Sequence, residues 1–143
     1  NLEKLINKII REFSLTASVD FDIRFTSENQ ELMIDEKKFE IVLRNLFQNS
    51  IDALSEDIES SEKKIIVMLE ETGQGLNLTV SNKLNRELDP EKILKLGFTT
   101  KKTGTGTGLY IVKRIIENMK GEMSVSTDNG LFTVRIKLIR NRA

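Results

Sequence analysis

One amphipathic helix constrains the fold of this chain more than any other feature of its sequence. Residues at helical spacing form a single stripe over about 20 positions, namely Phe39, Val42, Leu43, Leu46, Phe47, Ser50, Ile51 and Leu54. Asp35 precedes the stripe as a candidate N-cap, with Lys38 rather than a glutamate three residues later, so no capping box is expected. The pattern predicts a long helix with one buried face, which requires a second layer of structure to cover it.

The remaining patterns supply that second layer. Alternating or β-rich runs predict strands at Val19–Phe25, Glu31–Ile34, Lys64–Thr72, Leu76–Asn82, Gly121–Thr127 and Leu131–Ile139. Gly73-Gln74-Gly75 and Asp128-Asn129-Gly130 separate the last four runs into two hairpins. Further helices are predicted at Leu2–Phe13 and from Leu109 onward. Without a regular βαβ alternation, the order favours an α/β (α+β) fold: a mixed, largely antiparallel sheet with helices on one face.

Composition excludes several classes of site. Lysine plus arginine and aspartate plus glutamate number 22 each, so no global basic field favours nucleic acid. The chain has no cysteine, which excludes thiolate metal sites and fits a reducing, cytoplasmic compartment. It has no histidine, which excludes histidine-based triads and zinc sites. The first residue is asparagine, so we expect a single domain belonging to a longer polypeptide.

A glycine-rich loop provides the clearest functional signal. Gly104, Gly106 and Gly108 alternate with threonines directly before the predicted Leu109 helix. Such a loop exposes backbone N–H groups at the positive end of a helix, an arrangement suited to phosphate. Neither the P-loop nor the dinucleotide-binding pattern fits, because Leu109-Tyr110 follows the last glycine and the glycine spacing differs. A flexible glycine-threonine linker is the alternative interpretation.

Two asparagines on the long helix form the second signal. Asn45 and Asn49 are four residues apart and therefore lie on one edge of the helix, beside its apolar stripe. Amide oxygens suit Mg²⁺, which uses few protein ligands alongside substrate phosphates. Alternatively, both amides are satisfied by backbone groups or solvent. Coexistence with a phosphate loop favours the metal–phosphate interpretation.

Three motifs in order resemble the GHKL ATPase/kinase superfamily, and in particular the catalytic, ATP-binding domain of bacterial sensor histidine kinases. The segment from Asp35 through Asn45 and Asn49 to Leu54 is similar to the asparagine box. Phe98-Thr99-Thr100-Lys101 is similar to the phenylalanine box, and Gly104 to Leu109 to the second glycine box. The resemblance implies one domain over residues 1–143 and a two-layer Bergerat-type sandwich. It further implies a mixed five-stranded sheet, three main helices on one face and an ATP lid over residues 83–103.

The resemblance also implies roles for individual residues. Asn49 would be the Mg²⁺ ligand bridging to the triphosphate, Asn45 a neighbouring phosphate or metal contact, and Lys101 a lid contact to the β- and γ-phosphates. For Lys101 a solvated loop lysine is the alternative. The other implied ATP-binding residues are Asn82, Thr99, Thr100, Gly104, Thr105, Gly106, Thr107, Gly108 and Leu109.

One position departs from the family pattern. Members usually carry Asp-x-Gly-x-Gly before the lid, where the aspartate accepts a hydrogen bond from the adenine amino group. Here Asn82 occupies the aspartate position and Lys83-Leu84-Asn85 follows without a glycine. The amide oxygen can still accept that hydrogen bond, but without charge. A similar substitution occurs in peptide-pheromone sensor kinases of the Agr type.

The resemblance also separates reaction types. ATP-hydrolysing members place an acid near the asparagine box to orient water, whereas this chain has Asn45 there, as in histidine kinases. Asp52 could be taken as a base, but a solvated helix carboxylate is the preferred interpretation. The implied reaction transfers the γ-phosphoryl of ATP to a histidine outside this chain, on a dimerisation domain of the same kinase.

A response regulator is the further implied partner, no nucleic acid is expected, and the full protein would be homodimeric with any membrane anchor outside this segment. Two alternatives stay open: a degenerate nucleotide-binding or docking module, and a serine kinase of the anti-sigma type.

Overall fold

The computed structural model describes residues 2–27, 34–55, 63–72, 74–83, 108–128 and 130–139. Three helices lie in these ranges: α1 (Leu2–Ser14), α2 (Glu36–Ser55) and α3 (Gly108–Asn118). The strands are β1 (Asp20–Ser27), β2 (Lys64–Thr72), β3 (Gly75–Lys83), β4 (Glu122–Asp128) and β5 (Leu131–Ile139). The predicted α/β class is confirmed.

The described strands form one five-stranded sheet in the order β1-β2-β3-β5-β4. β1 runs parallel to β2, with Asp20 opposite Lys64, while the β2–β3, β3–β5 and β4–β5 pairs are antiparallel. The chain reaches β2 from β1 only after α2, as a parallel crossover requires. The sheet is therefore mixed and largely antiparallel, as the sequence predicts.

Both predicted hairpins are present. Thr72 pairs with Gly75 across the first turn, and Gly75 has φ 151°, a backbone conformation that glycine adopts without a Cβ penalty. Asp128 pairs with Leu131 across the second turn, where Gly130 has φ 74°. Each turn fixes its register, so alternate side chains of β3 and β5 point consistently toward the helices.

The helices cover one face of the sheet and enclose the core. Phe39, Leu43, Leu46 and Phe47 of α2 are at most 1% exposed, and Phe47 makes edge-to-face contacts with the rings of Phe13 and Phe21 at 6.1 and 5.5 Å. The sheet contributes a matching set of buried residues: Ile65, Val67, Leu69, Leu76, Leu78, Val80, Phe132, Val134, Ile136 and Leu138. The stripe that predicted α2 is thus its core-facing side.

A cluster of ion pairs links α1 to α2 at the surface. Arg44 on α2 lies 2.7 Å from Glu12 of α1 and 3.4 Å from Glu40, four residues earlier on its own helix. The hydrogen bond to Glu12 is the main cause of a raised pKa for Arg44, with Glu40 contributing. The guanidinium therefore joins two helices directly beside Asn45.

Two expectations fall wholly or partly outside the described ranges. Of the predicted Glu31–Ile34 strand, residues 31–33 lie outside them, and Ile34 is not in a strand. The predicted lid begins at Lys83, but Lys83 is the last residue of β3, and residues 84–103 lie outside the described chain. Among the described helices, none is long and apolar enough to cross a membrane.

Candidate functional site

Helix α2 presents Asn45 and Asn49 along one edge. Its first turn is capped as predicted, because the Lys38 backbone N–H donates to the Asp35 carboxylate at 3.2 Å. Both asparagines are half-buried, and both flank the buried stripe that contains Leu46. The core contacts of α2 therefore determine where these two amides point.

The amide of Asn45 has a defined orientation. Its Nδ2 donates a hydrogen bond of 2.8 Å to the backbone carbonyl of Ile41, one turn earlier. The oxygen Oδ1 is then left for another partner, and it lies against the start of α3: a Cβ built on Gly108 would be 3.3 Å from it. The structure thus brings together an amide oxygen from α2 and the backbone of the last glycine of the loop.

The start of α3 adds hydrogen-bond donors to this arrangement. α3 begins at Gly108, as the sequence predicts within one residue, and Leu109 anchors it with 4% exposure. The first N–H groups of a helix have no partner within the helix, and this end carries partial positive charge. An acceptor oxygen and a row of donors consequently face the same space, an arrangement that fits a phosphate with a coordinated cation.

Asn49 and Asp52 continue along the same helix. The Asn49 side chain has no hydrogen-bond partner within the described ranges, so its oxygen is available to a ligand. Asp52, in contrast, accepts a hydrogen bond of 2.9 Å from Gln48 Nε2. This contact favours the interpretation of Asp52 as a helix-surface carboxylate rather than a base.

Asn82 forms the other end of the site. It lies near the end of β3 with 1% exposure, and its Nδ2 donates to the backbone carbonyl of Lys83 at 3.2 Å. Its Oδ1 is buried without a hydrogen-bond partner among the described residues. Since an unpaired buried acceptor costs about 1–3 kcal/mol, this oxygen fits a hydrogen-bond donor supplied by a ligand.

The described chain therefore contains five of the predicted site residues: Asn45, Asn49, Asn82, Gly108 and Leu109. The remaining seven lie outside the described ranges, namely Thr99, Thr100, Lys101, Gly104, Thr105, Gly106 and Thr107. Within the described ranges no cluster of three or more acidic or histidine side chains could hold a metal.

Sequence reasoning missed two backbone groups that orient the site. The carbonyl oxygens of Ile41 and Lys83 hold the amides of Asn45 and Asn82. The Ile41 contact has a sequence signal, because an asparagine within a helix can bond the carbonyl four residues earlier. The Lys83 contact has none, since it depends on the conformation at the end of β3.

Comparison with known proteins gives a consistent result. The sequence model of the family described as "Histidine kinase-, DNA gyrase B-, and HSP90-like ATPase" matches residues 34–141. A probable C4-dicarboxylate sensor kinase of Bacillus subtilis is 30% identical over 130 residues, which span 88% of this chain and 24% of that protein. The sensor histidine kinase ZraS of Escherichia coli is 32% identical over 135 residues, which span 91% of this chain and 28% of that protein.

A solved structure shows the same architecture. The catalytic domain of the histidine kinase ThkA, in a nucleotide-free form, superposes with a TM-score of 0.79 at 26% identity. The match covers 99% of this chain and 96% of that domain. The chain spans about a quarter of the length of the two sensor kinases above.

Proposed function

Because the chain belongs to the histidine kinase-, DNA gyrase B- and HSP90-like ATPase family, we propose that it is the catalytic, ATP-binding domain of a sensor histidine kinase. That family includes both hydrolases and kinases, so membership alone does not select the reaction. The observation that carries the proposal is the amide of Asn45 at the start of α3, where its oxygen faces Gly108. An amide cannot take a proton from water as a carboxylate can.

The residues present fit ATP with Mg²⁺. The unpaired oxygen of Asn82 suits the amino group of adenine, and the donors at the start of α3 suit the phosphates. Asn49, with Asn45 beside it, would hold the cation through amide oxygens. Mg²⁺ supplies neutralisation of charge on the triphosphate when bound. We extend the phosphate cradle to Gly104, Gly106 and Lys101 on the strength of the sequence motif.

Catalysis in this site would rest on positioning and electrostatics. Phosphoryl transfer needs little covalent chemistry from the protein once the phosphates and the acceptor are aligned. Gly108 leaves room for Asn45, whose hydrogen bond to the Ile41 carbonyl would hold its oxygen ready for the phosphates or the cation. The acceptor must come from outside this chain, which has no histidine. We therefore propose a histidine on a dimerisation domain as acceptor, and a response regulator as the next partner, in the cytoplasm.

Asn82 supports one competing function. A neutral amide in place of the family aspartate fits a degenerate module that binds nucleotide without turnover. Both functions would use the Asn45 amide oxygen for the bound nucleotide, so phosphotransfer to an acceptor is the property that separates them.

The test is phosphotransfer from γ-labelled ATP to the histidine-bearing domain of the parent polypeptide, supplied separately. We expect acid-labile label on the acceptor, and a loss of about 100-fold in the Asn49→Asp variant, because the substitution places a negative charge against the triphosphate. Asn77→Asp is the matched control, since Asn77 is exposed on β3, and it should keep the wild-type rate. Full activity of Asn49→Asp would refute the site, acid-stable label would indicate a serine kinase, and ATP binding without transfer would indicate the docking module.

A further inference from the structure

The face of the sheet that the described helices leave uncovered carries a groove. The groove has a volume of about 610 Å³ and crosses β3, β5 and β4. Its polar lining includes Thr79, Ser124, Arg135 and Lys137, and we call it the β5 groove. None of the described nucleotide-site residues lines it, so nucleotide binding does not account for it.

The strand register directs two positive side chains into the groove. Thr79 lies opposite Arg135, and Arg135 lies opposite Ser124. Ser124, Arg135 and Lys137 are exposed, whereas Ile136, between the two cations, is buried on the helix-covered side. Arg135 and Lys137 are two residues apart on one strand, so their side chains project from the same face at a spacing of about 7 Å.

The charges of Arg135 and Lys137 have no acidic partner within the described ranges. Arg135 donates a hydrogen bond of 2.8 Å to the Ser126 hydroxyl, which orients the guanidinium without neutralising it. Lys137 lies opposite Glu122, which also lines the groove, but these two side chains form no ion pair. The groove therefore has two positive charges and one negative charge, and the described chain pairs none of them.

The β1 edge of the same face shows the opposite situation. Arg24 and Lys64 lie 3.1 and 3.6 Å from the Asp22 carboxylate, so both cations are paired there. The registers of β1 with β2, β2 with β3 and β3 with β5 place Arg24 and Arg135 in one row across the sheet. One row thus contains a compensated arginine at the edge and an uncompensated one in the groove. A carboxylate for Arg135 has to come from outside the described chain.

Apolar side chains border the β5 groove. Met68 on β2, opposite Thr79, is 44% exposed, and Ile139, two residues beyond Lys137, is 63% exposed. Helices cover the faces of sheets through an apolar stripe. A helix can also carry carboxylates at positions i and i+4, about 5–6 Å apart, beside such a stripe. This spacing is close to the spacing of the two cations.

We propose that the β5 groove docks an acidic amphipathic helix of a partner protein. The carboxylates of that helix contact Arg135 and Lys137, and its apolar stripe covers Met68 and Ile139. Arginine suits this recognition, because its planar guanidinium can bind both oxygens of a carboxylate. Complementary charges of this kind determine the orientation and the specificity of docking more than its affinity.

The experiment titrates the chain, labelled with ¹⁵N and at its methionine methyl groups, with synthetic helical peptides. Each peptide carries a leucine stripe and a pair of glutamates, glutamines or lysines at i and i+4. The glutamate peptide should bind at least about tenfold more tightly than the glutamine peptide, and the lysine peptide should not bind. Binding of the glutamate peptide should shift the Met68 methyl signal and the amide signals of β5, and it should weaken as salt is added.

Substitutions in the groove test the two charges separately. Arg135→Gln and Lys137→Gln should each weaken binding of the glutamate peptide by about fivefold, the upper range for one exposed ion pair. Arg24→Gln is the matched control, because it removes the same charge from the same row, and its affinity should stay within about twofold of the wild type. All three side chains are exposed, so the midpoint of thermal unfolding should show that each variant is folded.

Several results would overturn the docking proposal: no binding of the glutamate peptide, equal binding of the glutamine peptide, or equal losses in Arg135→Gln and Arg24→Gln. Shifts centred on Gly108 would place the acidic peptide at the start of α3 instead. Self-association of the chain that Lys137→Gln abolishes would make a second copy the occupant of the groove. Each of these failures leaves the proposed kinase function standing, because docking in the β5 groove does not rest on nucleotide binding.

Discussion

The oxygen of Asn45 lies so close to the first residue of α3 that a Cβ on Gly108 would be 3.3 Å from it. The Asn45 amide has little freedom to move away from Gly108, because its Nδ2 also donates a hydrogen bond of 2.8 Å to the Ile41 carbonyl. At this point α2 and the start of α3 are therefore too close for an added methyl group to fit without a shift. The glycine is needed here for close approach, since its own backbone does not require a positive φ.

Gly108→Ala should weaken ATP binding by about tenfold, within the cost expected from inserting a methyl group into a packed contact. The added Cβ would be 3.3 Å from Asn45 Oδ1, so the amide must shift by a few tenths of an ångström out of its alignment with α3. Alanine is otherwise favoured in a helix, so the free energy of unfolding should change little. Calorimetric titration with ATP–Mg²⁺ and urea denaturation measure the two effects. Unaltered ATP affinity would show that the Asn45–Gly108 contact has no role in binding.

Asn82→Asp should act in the opposite direction on affinity. A charged acceptor forms a hydrogen bond worth about 1.5–3 kcal/mol, against about 1 kcal/mol for a neutral one, so ATP should bind roughly tenfold more tightly. Without nucleotide the variant should be less stable, because the carboxylate is buried between apolar neighbours. Titration with ATP tests the predicted gain in affinity. Unfolding measured with and without ATP tests the predicted loss of stability. Equal ATP affinity in the two proteins would place the base elsewhere.

Local patterns predicted much of this molecule. Lys64–Thr72 and Leu131–Ile139 match β2 and β5 to the residue, and Asp35 caps α2 as expected. These features depend on neighbouring residues and on turn glycines. The parallel pairing of β1 with β2 could not be assigned from the sequence, because it joins segments separated by α2. The locked amides of Asn45 and Asn82 likewise depend on backbone carbonyls whose positions only the folded chain defines.

Lys120, just after the end of α3, has a strained backbone conformation that a substitution can relieve. Lys120 has φ 60°, the left-handed conformation that costs a residue with a side chain about 1 kcal/mol. The Gly121 N–H reaches back to the Ile116 carbonyl at 2.8 Å and closes the helix end. Lys120→Gly should therefore raise the free energy of unfolding by about 1 kcal/mol.

Lys113→Gly is the matched control, because Lys113 lies inside α3 and the same substitution there should cost about 1 kcal/mol. Chemical denaturation of both variants gives the comparison. A loss of stability in Lys120→Gly would mean that the lysine side chain stabilises this turn by more than the backbone strain it causes.

A charged cluster on β1 should make stability depend on acid pH. Asp22 accepts a hydrogen bond of 3.1 Å from Arg24 and lies 3.6 Å from Lys64 Nζ. The Arg24 hydrogen bond, with the charges of Arg24 and Lys64, lowers the pKa of the Asp22 carboxyl. A lowered folded-state pKa means that the contribution is complete above the unfolded-state pKa of about 3.9 and is lost as pH falls through the folded-state value.

The Asp22→Asn substitution should remove this dependence of stability on acid pH. Wild type should have a higher urea midpoint than Asp22→Asn near neutral pH, and the gap should narrow as pH falls below the unfolded-state pKa of about 3.9. Asp20→Asn, on the same strand and exposed, is the reference for a general loss of one negative charge. A gap between wild type and Asp22→Asn that persists in acid would show that the ion pairs with Arg24 and Lys64 are not its source.

We propose that ATP binds between α2, the start of α3 and the end of β3. The most direct measurement is a titration of the ¹⁵N-labelled protein with ATP–Mg²⁺, followed by amide NMR. We expect the largest chemical-shift changes at the backbone amides of Gly108 and Leu109. The side-chain NH₂ groups of Asn45, Asn49 and Asn82 should shift as well. The chemical shifts of the side-chain NH₂ group of Asn77, on the opposite face of β3, should not change. Shifts centred on Asn77 and the exposed sheet face, or none at saturating ATP, would contradict it.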